Sequence, residues 1–108
     1  MKFGQIILVP FPFAELTNTK VRPAVVIGET EDRFKDLIIA AISSVVPNDV
    51  PKKSFVVKSS SISGLRVDSL IKVDRLATIK SEQVIATIGK LTPDEKQTLK
   101  KIFKSLVD

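Results

Sequence analysis

The apolar residues of this chain come in short bursts, and that limits the fold more than any other feature. Six runs rich in β-branched and other aliphatic residues, none longer than six residues, occupy the first four-fifths of the sequence, at 6–9, 24–27, 37–42, 55–57, 70–73 and 84–88. Pro10, Pro12, Gly28, Pro47, Pro51 and Gly64 separate most of them. Runs this short cannot build helices of ordinary length, and their composition and spacing predict strands of an antiparallel sheet curling towards a small barrel. Several runs are continuous rather than alternating, as expected for strands covered on both faces.

Helical signals are confined to two places. Residues 59–63 form a polar stretch ending at Gly64, a residue suited to closing a helical turn. The stronger signal starts at Thr92, followed by Pro93 and by Glu95 at the capping-box position. Leu99, Ile102, Phe103 and Leu106 then recur at helical spacing, with Lys96, Lys100, Lys101 and Lys104 outside that stripe. Acidic residues at the start and lysines towards the end suit the helix dipole, so 93–106 is predicted as a helix. Its lysine face reads as a solvated surface and is assigned no site.

A length of 108 residues predicts one domain over 1–108, and 44% hydrophobic residues allow a small core that pairing with a second copy would enlarge. The chain contains no cysteine and no histidine. It therefore has no disulfide, no thiolate nucleophile and neither the usual general base nor the commonest metal ligand. No pair of carboxylates has a convincing metal-site spacing, and the four glycines are scattered singly, so no phosphate-cradling glycine loop exists. Residues 1–5 do not read as a signal peptide and no apolar run approaches a membrane span, so a cytoplasmic protein that engages no membrane is expected. A formal charge of +5 favours a polyanionic partner such as nucleic acid, although many small soluble proteins are equally basic. Stacking on bases by an aromatic would have to use Phe3, Phe11, Phe13, Phe34, Phe55 or Phe103, most of which are expected in the core.

Three segments could carry chemistry. Val9-Pro10-Phe11-Pro12-Phe13 ends the first strand, because proline cannot continue a central ladder. A polar loop over 14–21 then delivers Arg22-Pro23 into the second strand, and the proline holds Arg22 extended at a stiff strand entrance. The alternative is a surface arginine at a strand edge. Ser43-Ser44 ends the third run, where the hydroxyls either close a turn or present a donor to a phosphate. Asp68-Ser69 and Asp74-Arg75 flank the fifth run, and Asp68 is best read as a turn cap.

Taken in order, these fragments resemble the MazF/PemK toxins. The likeness runs through Gly4-Gln5-Ile6, Val9 to Phe13, Lys20-Val21-Arg22-Pro23-Ala24-Val25-Val26-Ile27, Ile39 to Ser44, Gly64-Leu65 with Asp68-Ser69, and Val73 to Ile79. The chain departs from the best-known members at Gln5, where an acidic residue is usual, and over 75–81, and these features are similar to a PemK-like branch. The resemblance implies a mostly β fold with short helices, an SH3-like small barrel of antiparallel strands plus a C-terminal α-helix. It implies a toxin of a type II toxin–antitoxin system that cleaves single-stranded RNA at short motifs with no metal or other cofactor, usually as a homodimer, and that binds a cognate antitoxin. By the same resemblance Arg22 matches the catalytic arginine and Ser43 the residue that contacts the scissile phosphate. Glu15, Thr17, Asn18, Thr19 and Lys20 match a loop that helps to hold RNA, and Ser44 and Arg75 are expected to contact RNA beside them.

Elementary chemistry agrees with that assignment. RNA carries its own nucleophile, so the protein need only deprotonate the 2′-OH, stabilise the charged phosphorane and help the 5′-oxygen leave. A guanidinium is a planar, permanently charged fork matched to phosphate oxygens, and a serine hydroxyl can donate beside it. Two other functions stay open on the sequence: a gyrase poison of the same fold acting through its C-terminal helix, and a non-catalytic nucleic-acid-binding barrel.

Overall fold

A computed structural model describes residues 1–10 and 20–107; the loop residues Glu15, Thr17, Asn18 and Thr19 named above lie outside the described residues. The described chain is mostly β. Six strands, β1 (Gln5–Pro10), β2 (Val21–Glu29), β3 (Leu37–Ser43), β4 (Ser54–Val57), β5 (Ser69–Ile79) and β6 (Ala86–Lys90), precede one helix, α1 (Pro93–Ser105). They form a single sheet in the order β4-β5-β3-β2-β1-β6, with every neighbouring pair antiparallel. The sheet curls into a half-barrel, with β4 and β6 as its two edges.

All six predicted runs are strands, but their limits differ from the apolar runs. β2 and β5 extend well past them, because ladder pairing carries residues outside the runs along: Val21 to Pro23 pair with β1, and Leu76 to Ile79 with β3. β6 begins at Ala86, since 81–83 is wound into a short 3-10 turn in which Gln83 caps Lys80. The stretch 59–63 makes one turn and no helix: the Gly64 N–H donates to the Ser60 carbonyl at 2.9 Å, and Gly64 adopts φ +71°.

Both faces of the sheet are apolar, as the continuous runs require. One face gathers Ile6, Val25, Ala40, Ile42, Ile71 and Val73 beneath α1, which contributes Leu99 and, less deeply, Ile102 and Leu106. The other gathers Ile7, Val9, Ala24, Val26, Leu37, Ile39 and Ile79. The predicted helix is present with its capping box intact, the Thr92 side chain accepting from the Glu95 N–H at 3.3 Å and Glu95 accepting from the Thr92 N–H at 2.8 Å. Phe103 lies at the exposed edge of the stripe.

The connection from β4 to β5 shapes the functional end of the molecule. It leaves one edge of the sheet and reaches the other: the Lys90 N–H of β6 donates to the Ile62 carbonyl at 3.0 Å. Close packing makes the contact possible. A Cβ on Gly64 would run into the Ile88 carbonyl, and one on Gly89 into the Ser63 carbonyl. This strap spans the opening of the half-barrel and leaves a groove at the end where β2 begins and β3 finishes.

Candidate nucleic-acid groove

The groove exists because the β2–β3 ladder stops early. β2 pairs with β1 from Val21 onward, Val9 lying opposite Arg22 and Leu8 opposite Pro23, but its pairing with β3 begins only at Ala24, opposite Ala41. Pro23 has no N–H to contribute to a ladder, so the sheet opens immediately before Ala24. The same proline keeps Arg22 extended. A space of about 830 Å³ results, lined by Leu8, by Lys20 to Pro23, by Ile42 and Ser44 at the end of β3, by Gly64 to Val67 of the strap, and by Ser69 and Ile88.

Its chemistry is one-sided. Three cations, Lys20, Arg22 and Arg66, two serine hydroxyls and a set of aliphatic side chains line it, and no carboxylate does so among the described residues. Arg22 and Arg66 are exposed, and neither makes a hydrogen bond or ion pair among those residues. Unpaired guanidiniums around a cleft with apolar walls concentrate positive potential where a phosphodiester chain could lie. Val21 and Val67, each about half exposed, offer aliphatic surface beside those charges. Among the described residues no group of three or more His, Cys, Asp or Glu residues could hold a metal ion.

Of the residues singled out from the sequence, Lys20, Arg22 and Ser44 come together in this groove. Ser43 does not line it. That side chain is half-buried, and its oxygen accepts the Val45 N–H at 3.1 Å, closing a small turn. Arg75 sits elsewhere, in a bulge of β5 where Leu76 pairs with Ala40 and Lys72 with Ala41, several residues inside the ladder. Asp68 caps the strap as expected, its carboxylate accepting the Ser59 N–H at 2.8 Å. Sequence reading missed Arg66, Leu65 and Val67, and also Leu8 and Ile88. The only local sign was a cation placed between Gly64 and the next strand, because the strap's approach to β6 is invisible without the fold.

A model of PemK-like, MazF-like toxins of type II toxin–antitoxin systems matches residues 2–107. Among curated proteins none matches the sequence. Solved structures share the fold. A mycobacterial endoribonuclease in complex with its cognate antitoxin superposes with a TM-score of 0.74 at 10% identity, covering 99% of this chain and 94% of that one. A second mycobacterial endoribonuclease gives 0.70 at 12% identity, with 99% and 90% covered. The Mycobacterium tuberculosis toxin MazF-mt6 gives 0.71 at 17% identity, covering 96% of each chain. With the family model spanning all but the terminal residues, and with a half-barrel fold that accommodates it, this chain belongs to the PemK-like, MazF-like toxins of type II toxin–antitoxin systems.

Proposed function

We propose that this toxin is a metal-independent endoribonuclease that cuts single-stranded RNA in the groove at the start of β2, acts in the cytoplasm as one domain that pairs with a second copy, and is restrained by a cognate antitoxin. The observation that carries the reading is a groove with no carboxylate among the described residues lining it, where the Arg22 guanidinium, without an ion pair or hydrogen bond among those residues, shares the lining with Lys20 and the Ser44 hydroxyl. In the reaction the 2′-oxygen attacks the adjacent phosphorus as its proton is removed. The bond from phosphorus to the 5′-oxygen breaks, and that oxygen takes up a proton. Negative charge grows on the phosphoryl oxygens in between, and Arg22 is assigned the role of stabilising it.

Ser43 is assigned the phosphate donor. Its oxygen already accepts a backbone N–H, which fixes the side chain and leaves its O–H proton to be donated. Lys20 and Ser44 hold the strand near the bond that breaks, together with Glu15, Thr17, Asn18 and Thr19 of the preceding loop. Arg75, set back in β5, is assigned to RNA running beyond the groove. Mycobacterial neighbours of the same fold are endoribonucleases, and one was solved with its antitoxin, which supports both the activity and the partner.

The test is incubation of the purified toxin with a long single-stranded RNA in EDTA, beside Arg22→Ala and Ser43→Ala. Discrete fragments are expected from the parent, with the rate falling about a hundredfold or more for Arg22→Ala, the usual loss when a charge-stabilising donor is removed. Intact RNA together with inhibited gyrase would overturn the reading, as would cleavage by Arg22→Ala at the parent rate.

A further inference from the structure

The strap that spans the half-barrel carries a cation that the proposed chemistry leaves unused. Arg66 is exposed, lines the groove and has no hydrogen-bond or ion-pair partner among the described residues. The backbone on either side of it is tied down. The Leu65 N–H donates to the Ser63 hydroxyl at 3.2 Å, and the Leu65 carbonyl accepts from the Ser59 hydroxyl at 2.7 Å. The Val67 carbonyl accepts from the Ser69 hydroxyl at 2.9 Å. Ser63 is the centre of this arrangement. Only 2% exposed, its hydroxyl also donates to the Lys58 carbonyl at 3.0 Å, and its N–H donates to the Ser60 hydroxyl at 3.0 Å. Packing of Gly64 and Gly89 then locks the strap against β6.

A long cation on a chain immobilised at both flanks, lining a cleft with no carboxylate among the described residues, is arranged to receive an anion. Little backbone entropy is left to lose when it binds. Arg22 stands at the strand entrance on β2 and Arg66 on the strap, so the two reach the groove from separate elements. We propose that Arg66 is a second phosphate-holding cation of this groove, presented by the serine turn around Ser63, which grips the RNA backbone at a phosphate other than the one that is cut and so positions the strand across the groove. This inference rests on the ribonuclease reading above for its substrate. It assigns binding to Arg66 and positioning to Ser63, and gives neither a part in the chemical step.

Holding the strand and cutting it separate by experiment. Cleavage of RNA is followed against substrate concentration for the parent, Arg66→Ala and Arg66→Lys. In parallel, binding of a 2′-deoxy oligonucleotide of the cleaved sequence, which cannot react, is measured by fluorescence anisotropy over a salt series. For Arg66→Ala, KM and the oligonucleotide Kd should rise about tenfold, the lower range for a charge-assisted contact, with kcat within about twofold of the parent. The slope of log K against log salt should shrink by about 0.7, one single-strand phosphate contact, and Arg66→Lys should recover most of that slope. Unchanged Kd and slope in Arg66→Ala while the parent still cleaves would overturn the proposal and leave the ribonuclease reading intact. A loss in kcat with KM unchanged would overturn it as well. If the parent binds the oligonucleotide but cuts nothing, the ribonuclease reading falls, and the same Kd and slope changes still uphold the contact. An unaltered thermal transition in both variants shows that the fold is intact.

Discussion

At position 23 the absence of one N–H decides where the site can be. Proline cannot supply a rung, β2 and β3 pair only from Ala24, and the residues just before it face open space. Arg22 is therefore expected to be replaceable without harm to folding. In Arg22→Ala the thermal transition should stay within about a degree or two of the parent, as for exposed positions free of special contacts, while cleavage is lost. Gly89 is the converse case. Its substitution by alanine should leave Arg22 and its charge untouched yet destabilise the protein by about 2 kcal/mol or more, because the added Cβ meets the Ser63 carbonyl and the strap must move. Chemical denaturation of Gly89→Ala checks this, and a midpoint equal to that of the parent would show that the strap is not packed as described.

Among the elements, α1 is the one whose limits were most legible in advance. Thr92, Pro93 and Glu95 announce its start, and the reciprocal bonds between Thr92 and Glu95 form as that pattern requires. Thr92→Ala removes the acceptor for the Glu95 N–H and should cost about 1 kcal/mol, read as a lower denaturation midpoint with unchanged RNA cleavage, since the cap lies outside the groove. The strands were legible as runs but not in extent. Leu76 to Ile79 join β5 because β3 offers them partners, and Asp74 and Arg75 are carried along in the bulge between those pairs and the run at 70–73. The stretch 59–63 shows the opposite limit. Its serines and the glycine after it announce a turn, but the hydroxyls bond to the backbone of their own segment and hold a single compact turn in place of a helix.

Across the whole molecule, large hydrophobic residues stand exposed in the connections between strands and after α1, among them Val45, Val50, Ile85 and Val107. A chain of this size with that surface gains from burying part of it against a copy. Sedimentation equilibrium is expected to give twice the chain mass of 11.9 kDa, and a mass of one chain at micromolar concentration would refute the pairing. The surplus of cations has its own consequence at this scale, since association with RNA should weaken steeply as salt rises.

Local sequence determined the elements: periodicity and breakers give the strands, a capping box gives the helix, and the ordered fragments from Gly4 to Ile79 give the family. These were readable because each depends on residues a few positions apart. The groove was only half readable. Lys20, Arg22 and Ser44 could be named, but Arg66, Leu8 and Ile88 could not, and that the Ser43 oxygen accepts the Val45 N–H was not legible either. Only the tertiary structure decided that residues near 8, 22, 44, 66 and 88 share one cleft, because that depends on the strand order and on a strap crossing from one sheet edge to the other. Gly64 and Gly89 carry the same lesson. In the sequence they read as breakers or as nothing in particular, whereas their necessity lies in two backbones meeting too closely for any side chain to fit between them.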